Sequence, residues 1–298
     1  MKFSHWLIVL ILGLISACSS REPPVNTVQE PDELAQTCGL TIDNETCEVF
    51  LFPEGSDSRR EYILHTPDGS IDDSPPLFIF LHGAGGNAGE SPGPFGIRKY
   101  MTAQGFIGVF PNARVNENGF RDWRVDDVEF IEFIIEQLIL TKNIDPERVF
   151  IFGFSNGGFL ANLAACEIPS KITAMFSFAG NLLEPLNNCV TDGDIAIHHL
   201  HATGDEIIPY DGVEGAFLSA PDAIEEWSIY NQCDASFVIS DAFELTNDEN
   251  GNESITWSYE NCIKPVHLTT INGSGHHPSF QTLKLQELMS DFFAAAQM

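Results

Sequence analysis

Three short segments of this 298-residue chain hold side chains that can do chemistry together: GFSNG at 153–157, HATGD at 201–205 and GSGHHP at 273–278. A serine hydroxyl attacks a carbonyl carbon only when a base takes its proton, and the usual base is a histidine oriented by a carboxylate. Ser155 offers the hydroxyl. His276 and His277, side by side in a glycine-rich loop, both qualify as the base; Asp205 qualifies as the acid, with Asp211 as the alternative. The chemistry of such a set is acyl transfer. It also needs two preset N–H donors for the oxyanion. The backbone of Asn156 is one. The segment LHGAGGNA at 81–88 supplies the other, because its glycines let the backbone approach a substrate. Ala84 is the expected donor there, with His82 steadying the loop.

These residues need particular elements to hold them. Ser155 ends the apolar run VFIFGF (149–154) and opens the small-residue stretch Asn156 to Ala165, which reads as a helix. G-x-S-x-G at a strand-to-helix junction marks a turn so tight that side chains two residues either side of the serine would clash. Gly153 and Gly157 remove that bulk, and Gly158 lets the helix approach the sheet. The hydroxyl is expected to stand exposed, near the positive end of the helix. The segments IAIHHLHATGD (195–205) and VHLTTING (266–273) carry two further strands, with Asp205 just past the first and the two histidines in the loop after the second, so all three groups are expected at strand ends.

The rest of the chain repeats that alternation. EYILH (61–65), LFIFLHG (77–83), FIGVFPN (106–112) and MFSFAG (175–180) read as further strands, several apolar without interruption, as in a sheet buried on both faces. Helices are expected over DDVEFIEFIIEQLIL, with Asp126 and Glu129 as a variant capping box and Phe130, Phe133, Ile134 and Leu138 on one face, and from Pro221 and over the last segment, SFQTLKLQELMSDFFAAA. The fold class is α/β, a mostly parallel, doubly wound sheet flanked by helices, with the site at the carboxyl ends of its strands. His198, His199 and His201 lie along one strand, 199 and 201 on the same face. Lacking a third ligand, they read as strand-end packing and hydrogen bonding, not metal binding. No metal and no cofactor is expected.

The chain begins with a basic residue, an apolar stretch and small residues before Cys18, which reads as an export signal over 1–18. ISAC resembles the lipobox of bacterial lipoproteins, which implies lipidation of Cys18, with a plain secretory signal cleaved nearby as the alternative; Ser19 after it fits the outer membrane of a two-membrane cell. Residues 19–37, polar and proline-bearing, read as a flexible tether to a single domain over 38–298. Export to an oxidising compartment makes the remaining six cysteines a disulfide framework. Pairing of sequence neighbours gives Cys38–Cys47, Cys166–Cys189 and Cys233–Cys262, one of 15 connectivities. The formal net charge of −29 repels nucleic acid and other polyanions and fits a salty medium.

With these pieces placed, the chain resembles the secreted α/β-hydrolase esterases that group feruloyl esterases, acetyl xylan esterases and polyhydroxybutyrate depolymerases. The resemblance covers about residues 60–290 and rests on FLHGAGGNA, DDVEFI, IDPERVFIFGFSNGGFLANLAACE, FSFAG, HATGDEIIPYDG and GSGHH. It implies the α/β-hydrolase fold, with Ser155 as nucleophile, Asp205 as acid and His276, which follows G-x-G, as base. It also supports the 233–262 disulfide in particular. The chain departs from the pattern in His277, Pro278 and Ser279, where relatives often have tryptophan and proline, and in HATGD, where many read HGTAD. Residues 38–60 have no clear counterpart. These departures bear on pocket and surface. The expected activity is hydrolysis of carboxylic esters, first of feruloyl or acetyl groups on a polysaccharide. A polyester depolymerase is the second reading and a peptidase the third. A non-catalytic surface-binding lipoprotein is the rival of another class. The expected partners are the ester substrate and, through a lipid anchor only, a membrane.

Overall fold

The computed structural model describes residues 45–52, 59–67, 72–183, 186, 189–190, 193–248 and 251–298. The export signal with Cys18, the tether at 19–37 and Cys38 lie outside the described residues. Twelve strands are found among those described: β1 (Glu45–Leu51), β2 (Arg59–His65), β3 (Leu77–Leu81), β4 (Ile107–Pro111), β5 (Arg114–Val115), β6 (Arg121–Asp122), β7 (Val149–Phe154), β8 (Ala174–Phe178), β9 (Ala196–Ala202), β10 (Phe237–Ile239), β11 (Ser254–Tyr259) and β12 (Val266–Ile271). The helices are α1 (Ile97–Gln104), α2 (Asp127–Lys142), α3 (Asn156–Glu167), α4 (Ala220–Tyr230) and α5 (Thr282–Ala296).

Ten of the strands form one sheet in the order β1-β2-β4-β3-β7-β8-β9-β12-β11-β10, while β5 and β6 pair separately. The stretch from β4 to β12 is parallel throughout, and β2 and β11 close it antiparallel on either side. This is the mostly parallel sheet flanked by helices that the sequence implies. The reason is visible in the strand residues. In LFIFL and VFIFGF aliphatic and aromatic side chains alternate, so each strand offers one kind to each face. Leu77, Ile79, Leu81, Val149 and Ile151 join the cluster that includes residues of α2, α3 and α4. Phe78, Phe80, Phe150 and Phe152 join the cluster with α1 and α5. On that aromatic face the register sets Phe80, Phe152, Phe176 and His198 side by side on successive strands. Their rings stack at centroid distances of 5.5, 5.3 and 4.5 Å.

Some local features differ from expectation. Asp126 does not cap α2 with its side chain and has helical backbone angles. Its carboxylate is drawn to Arg114 instead. Asp127 takes the local hydrogen bond, from the Arg124 N–H at 2.8 Å, and pairs in the interior with Arg60, whose guanidinium lies 4.0 Å from the Phe130 ring centroid. Phe130, Ile134 and Leu138 are buried on one face of α2, as the spacing requires, and Phe133 is half-buried. At α4 the cap is Ser219, whose Oγ accepts from the Asp222 N–H at 3.1 Å, with proline in the first turn. The β10–β11 hairpin and α1 have no counterpart in the sequence reading. In β11, SITWSY alternates polar and apolar residues and lies between charged loops, so it lacks the apolar run that marks the central strands. Cys166–Cys189 and Cys233–Cys262 are disulfides. Cys47 is also disulfide-bonded.

Candidate active site

Ser155 sits between β7 and α3 with φ 54° and ψ −120°, a left-handed conformation that side chains other than glycine rarely adopt. The turn is held from both sides: the Ser155 N–H donates to the Phe178 carbonyl at 2.8 Å, and the N–H groups of Gly158 and Phe159 donate back to the Ser155 carbonyl. The flanking glycines are sterically required. A Cβ on Gly153 would stand 2.2 Å from the Gly157 carbonyl oxygen, and one on Gly157 would stand 2.2 Å from that of Leu81. Gly180, after β8, is required in the same way: its Cβ would stand 2.5 Å from the Ser155 carbonyl oxygen. Contrary to the expectation of an exposed hydroxyl, Ser155 is only 8% exposed. Its neighbours explain this. Gly83 lies against it, and the Phe154 ring, beside that glycine, is also within 5.1 Å of the His276 ring.

The other two groups arrive from neighbouring strands. β9 and β12 are adjacent and parallel, so the loops after their carboxyl ends meet. The Gly204 N–H donates to the Ser274 carbonyl at 3.0 Å and the Gly273 N–H to Thr203 Oγ1 at 3.0 Å. This brings His276 Nε2 to 3.0 Å from Ser155 Oγ and His276 Nδ1 to 2.7 Å from Asp205 Oδ2. All three residues are buried. Asp205 Oδ1 accepts from the N–H groups of Ile207 and Ile208 at 2.9 and 2.8 Å. Burial pushes the Asp205 carboxyl upward, but hydrogen bonds from His201, His276 and the Ile208 N–H, with the charge of His276, outweigh it and hold the group well below the usual carboxylate range. Because Asp205 accepts at Nδ1, Nε2 of the neutral ring is the lone-pair nitrogen that faces the serine.

His277 and Asp211, the alternatives, are both exposed. The His277 ring packs edge-on against Phe154 and His276. Burial and the neighbouring His276 hold it below its ordinary range.

The N–H groups of Asn156 and Ala84 have no hydrogen-bond acceptor among the described residues. Their loops are tied together by a residue the sequence reading missed. The Trp123 N–H donates to Asn156 Oδ1 at 2.7 Å, and its indole Nε1–H donates to the His82 carbonyl at 2.8 Å. His82 Nε2 accepts from the Ala113 N–H at 3.1 Å and Nδ1 donates to the Gly83 carbonyl at 2.7 Å, so this ring is a neutral brace. Burial pushes it down to about 4. The signal for Trp123 was a single tryptophan in the polar stretch RDWRVDD, which nothing local distinguishes from a surface residue.

A cavity of about 170 Å³ beside His277 is lined largely by Phe95, Phe154, Phe178 and Phe280. Neither that cavity nor a larger groove of about 350 Å³, between α4 and β11, is lined by Ser155, Asp205 or His276. Among the described residues no three metal-ligating side chains converge. His199 and His201 share a face and hydrogen-bond to each other, while His198 points to Thr269.

Residues 106–216 match the family model described as Phospholipase/Carboxylesterase. The chain is 28% identical over 239 residues to feruloyl esterase B of Piromyces equi, covering 73% of this chain but only 42% of that longer protein. It is 30% identical over 225 residues to a probable feruloyl esterase C of Aspergillus flavus, covering 73% of this chain and 76% of the relative. The fold is similar to that of an acetyl xylan esterase from Aspergillus awamori, with a TM-score of 0.66 at 12% identity over 84% of this chain and 99% of that one. The strained serine turn, the sheet order and these likenesses agree: the chain belongs to the α/β-hydrolase esterase family that includes feruloyl and acetyl xylan esterases.

Proposed function

We propose that the protein is a serine esterase that hydrolyses carboxylic esters through Ser155, His276 and Asp205. The observation that carries this reading is the hydrogen-bonded row in which His276 Nε2 is 3.0 Å from Ser155 Oγ and its Nδ1 is 2.7 Å from Asp205. Ser155 attacks the ester carbonyl while His276 takes its proton. The N–H groups of Asn156 and Ala84 stabilise the oxyanion as the tetrahedral intermediate forms. His276 then hands the proton to the leaving alcohol. In the second half, water gives a proton to the same ring and attacks the acyl-enzyme, and the ring returns that proton to Ser155 Oγ as the acid is released. Asp205 stays ionised throughout, orienting the ring and stabilising its charged form.

For the substrate we infer a hydroxycinnamoyl or acetyl ester carried on a polysaccharide. The names of the relatives support the class. The phenylalanine-lined cavity beside His277, which shares Phe154 with His276, favours a planar aryl group. The chain's formal net charge of −29 favours a neutral carrier over an anionic one and disfavours nucleic acid. The disulfides fit an exported protein. On this reading Cys18 is the lipidated residue and holds the enzyme to the cell envelope.

Release of ferulate, acetate and hydroxybutyrate from model esters tests the reading. We expect turnover of the first or second, labelling by a fluorophosphonate, and a loss of about 10⁴–10⁶ in turnover in Ser155→Ala. Near-normal rates in that variant would overturn it.

A further inference from the structure

The buried face of β9 carries more than packing. His201, which is fully buried, has Nε2 at 2.9 Å from the Ile208 carbonyl and 3.4 Å from Asp205 Oδ2, the oxygen that also faces His276. Both neighbours of Nε2 are acceptors, so Nε2 carries the proton. In the neutral ring Nδ1 is then an acceptor, and it lies 3.1 Å from His199 Nε2. His199 is held neutral by its burial and by the neighbouring His201. With its proton on Nε2, its Nδ1 must accept in turn, and Ser177 Oγ stands 2.5 Å away. The Ser177 hydroxyl has one hydrogen. The imidazole nitrogen at 2.5 Å takes it in preference to the Gly180 carbonyl at 3.2 Å. The Asn181 amide oxygen lies farther from His201 Nδ1, at 3.3 Å, and the Tyr210 ring packs edge-on at 5.5 Å. The titratable groups around His201 are therefore His199 on its own strand and Asp205 and Tyr210 from the loop that follows, with His276 beyond the carboxylate.

All the donors in this row point one way, Ser177 to His199 to His201, whose Nε2–H is shared between the Ile208 carbonyl at 2.9 Å and Asp205 Oδ2 at 3.4 Å. We propose that His201 is a positioning residue for the Asp205 carboxylate, its Nε2–H shared between the Ile208 carbonyl and, as a longer second contact, the oxygen that orients His276, and that Ser177 and His199 fix the tautomer that makes this possible. The inference rests on the reading of Ser155, His276 and Asp205 as the catalytic triad. A second donor on Oδ2 has two effects. It fixes the carboxylate in the plane of the His276 bond, and it draws off part of the charge that would otherwise hold a proton on His276. The cost of losing it should therefore fall on kcat and on the acid side of the pH profile, with little change in KM.

The test uses two variants that separate donation from bulk. His201→Gln places an amide N–H near the position of Nε2, while His201→Asn places one near Nδ1 and leaves Asp205 without its second donor. We expect His201→Asn to lower kcat by about tenfold to a hundredfold with KM within about twofold. The acid limb of its kcat/KM profile should lie about 0.5–1 pH unit higher, because the freed carboxylate holds the imidazolium more tightly. His201→Gln should restore most of both. A His201→Asn enzyme with the rate and profile of the parent would overturn the proposal. So would two equally slow variants with the parent's profile, which would mean packing alone. Nitrogen NMR of histidine-labelled parent protein gives an answer that does not depend on a variant folding: a proton on Nε2 of His201 is expected, and one on Nδ1 alone overturns the assignment. Ser155→Ala, assayed alongside, separates the two readings. If it stays active the triad itself is wrong, whereas if it is inactive while His201→Asn is unaffected, only the role of His201 falls.

Discussion

At the scale of single residues, the decisive choice is between two adjacent histidines. His276 is 7% exposed and both its ring nitrogens have partners in the site, while His277 is exposed and meets Phe154 edge-on. On the proposed mechanism the two should differ sharply. His276→Ala is expected to lower kcat by about 10⁴–10⁶, since triad members act as a unit. His277→Ala should stay within about tenfold, through its contact with the base and the aromatic cavity. Both are measured on one aryl ester, and equal losses would reassign the base. Residue types alone left this choice open, because neighbours in a glycine-rich loop look alike until the loop's course is known. The glycines of GFSNG were legible for the opposite reason: their role is a local steric one, visible in Cβ clashes within the turn and with the adjacent strand.

At the scale of elements, the serine turn depends on a side chain far from any chemistry. Asn162 on α3, buried, donates to the carbonyls of Gly158 at 3.0 Å and Gly180 at 2.8 Å and accepts from the Trp227 indole of α4 at 3.0 Å. One amide thus joins α3, the loop after β8 and α4 at the point where glycines allow α3 to approach the sheet. Asn162→Ala leaves the buried Trp227 indole N–H without its acceptor and removes one donor from each of the Gly158 and Gly180 carbonyls, and we expect a loss of about 1–3 kcal/mol in urea unfolding with an unchanged m-value. A loss under about 0.5 kcal/mol would mean that solvent or relaxation satisfies those groups. Of the elements themselves, the central strands were readable because a strand buried on both faces is apolar throughout. The β10–β11 hairpin was not, since it gains its place from pairing with β12 and not from a run of its own.

At the scale of the whole molecule, buried histidines couple folding to pH. Burial pushes His82 and His267 down to about 4, and burial with neighbouring histidines holds His198 and His199 well below their ordinary value. These rings are neutral when folded but take protons near pH 6.5 when unfolded, so the unfolded chain binds more protons between about 6.5 and 4. Their contribution is fully present above the unfolded value and is lost as pH falls, at a slope of about 1.4 kcal/mol per pH unit for each ring. Asp205, held low, extends the same trend below about pH 4. Urea midpoints at pH 7, 6 and 5 should therefore fall steadily. The series needs constant ionic strength, because a formal net charge of −29 makes stability depend on salt as well. A flat series would mean that these rings are solvated and titrate normally.

The amino-acid sequence by itself determined the strands and helices that carry the site and the order of serine, acid and histidine along the chain. Both follow from short-range causes: which faces an element buries and how tight a turn its residues permit. Tertiary structure alone decided which histidine reaches the serine across 121 residues and which carboxylate meets that ring across 71. It also decided that a third histidine, on β9, stands behind the acid. Those contacts depend on β9 and β12 lying side by side in the sheet. That adjacency is settled by the packing of the whole α/β domain and leaves no local mark on the residues that use it.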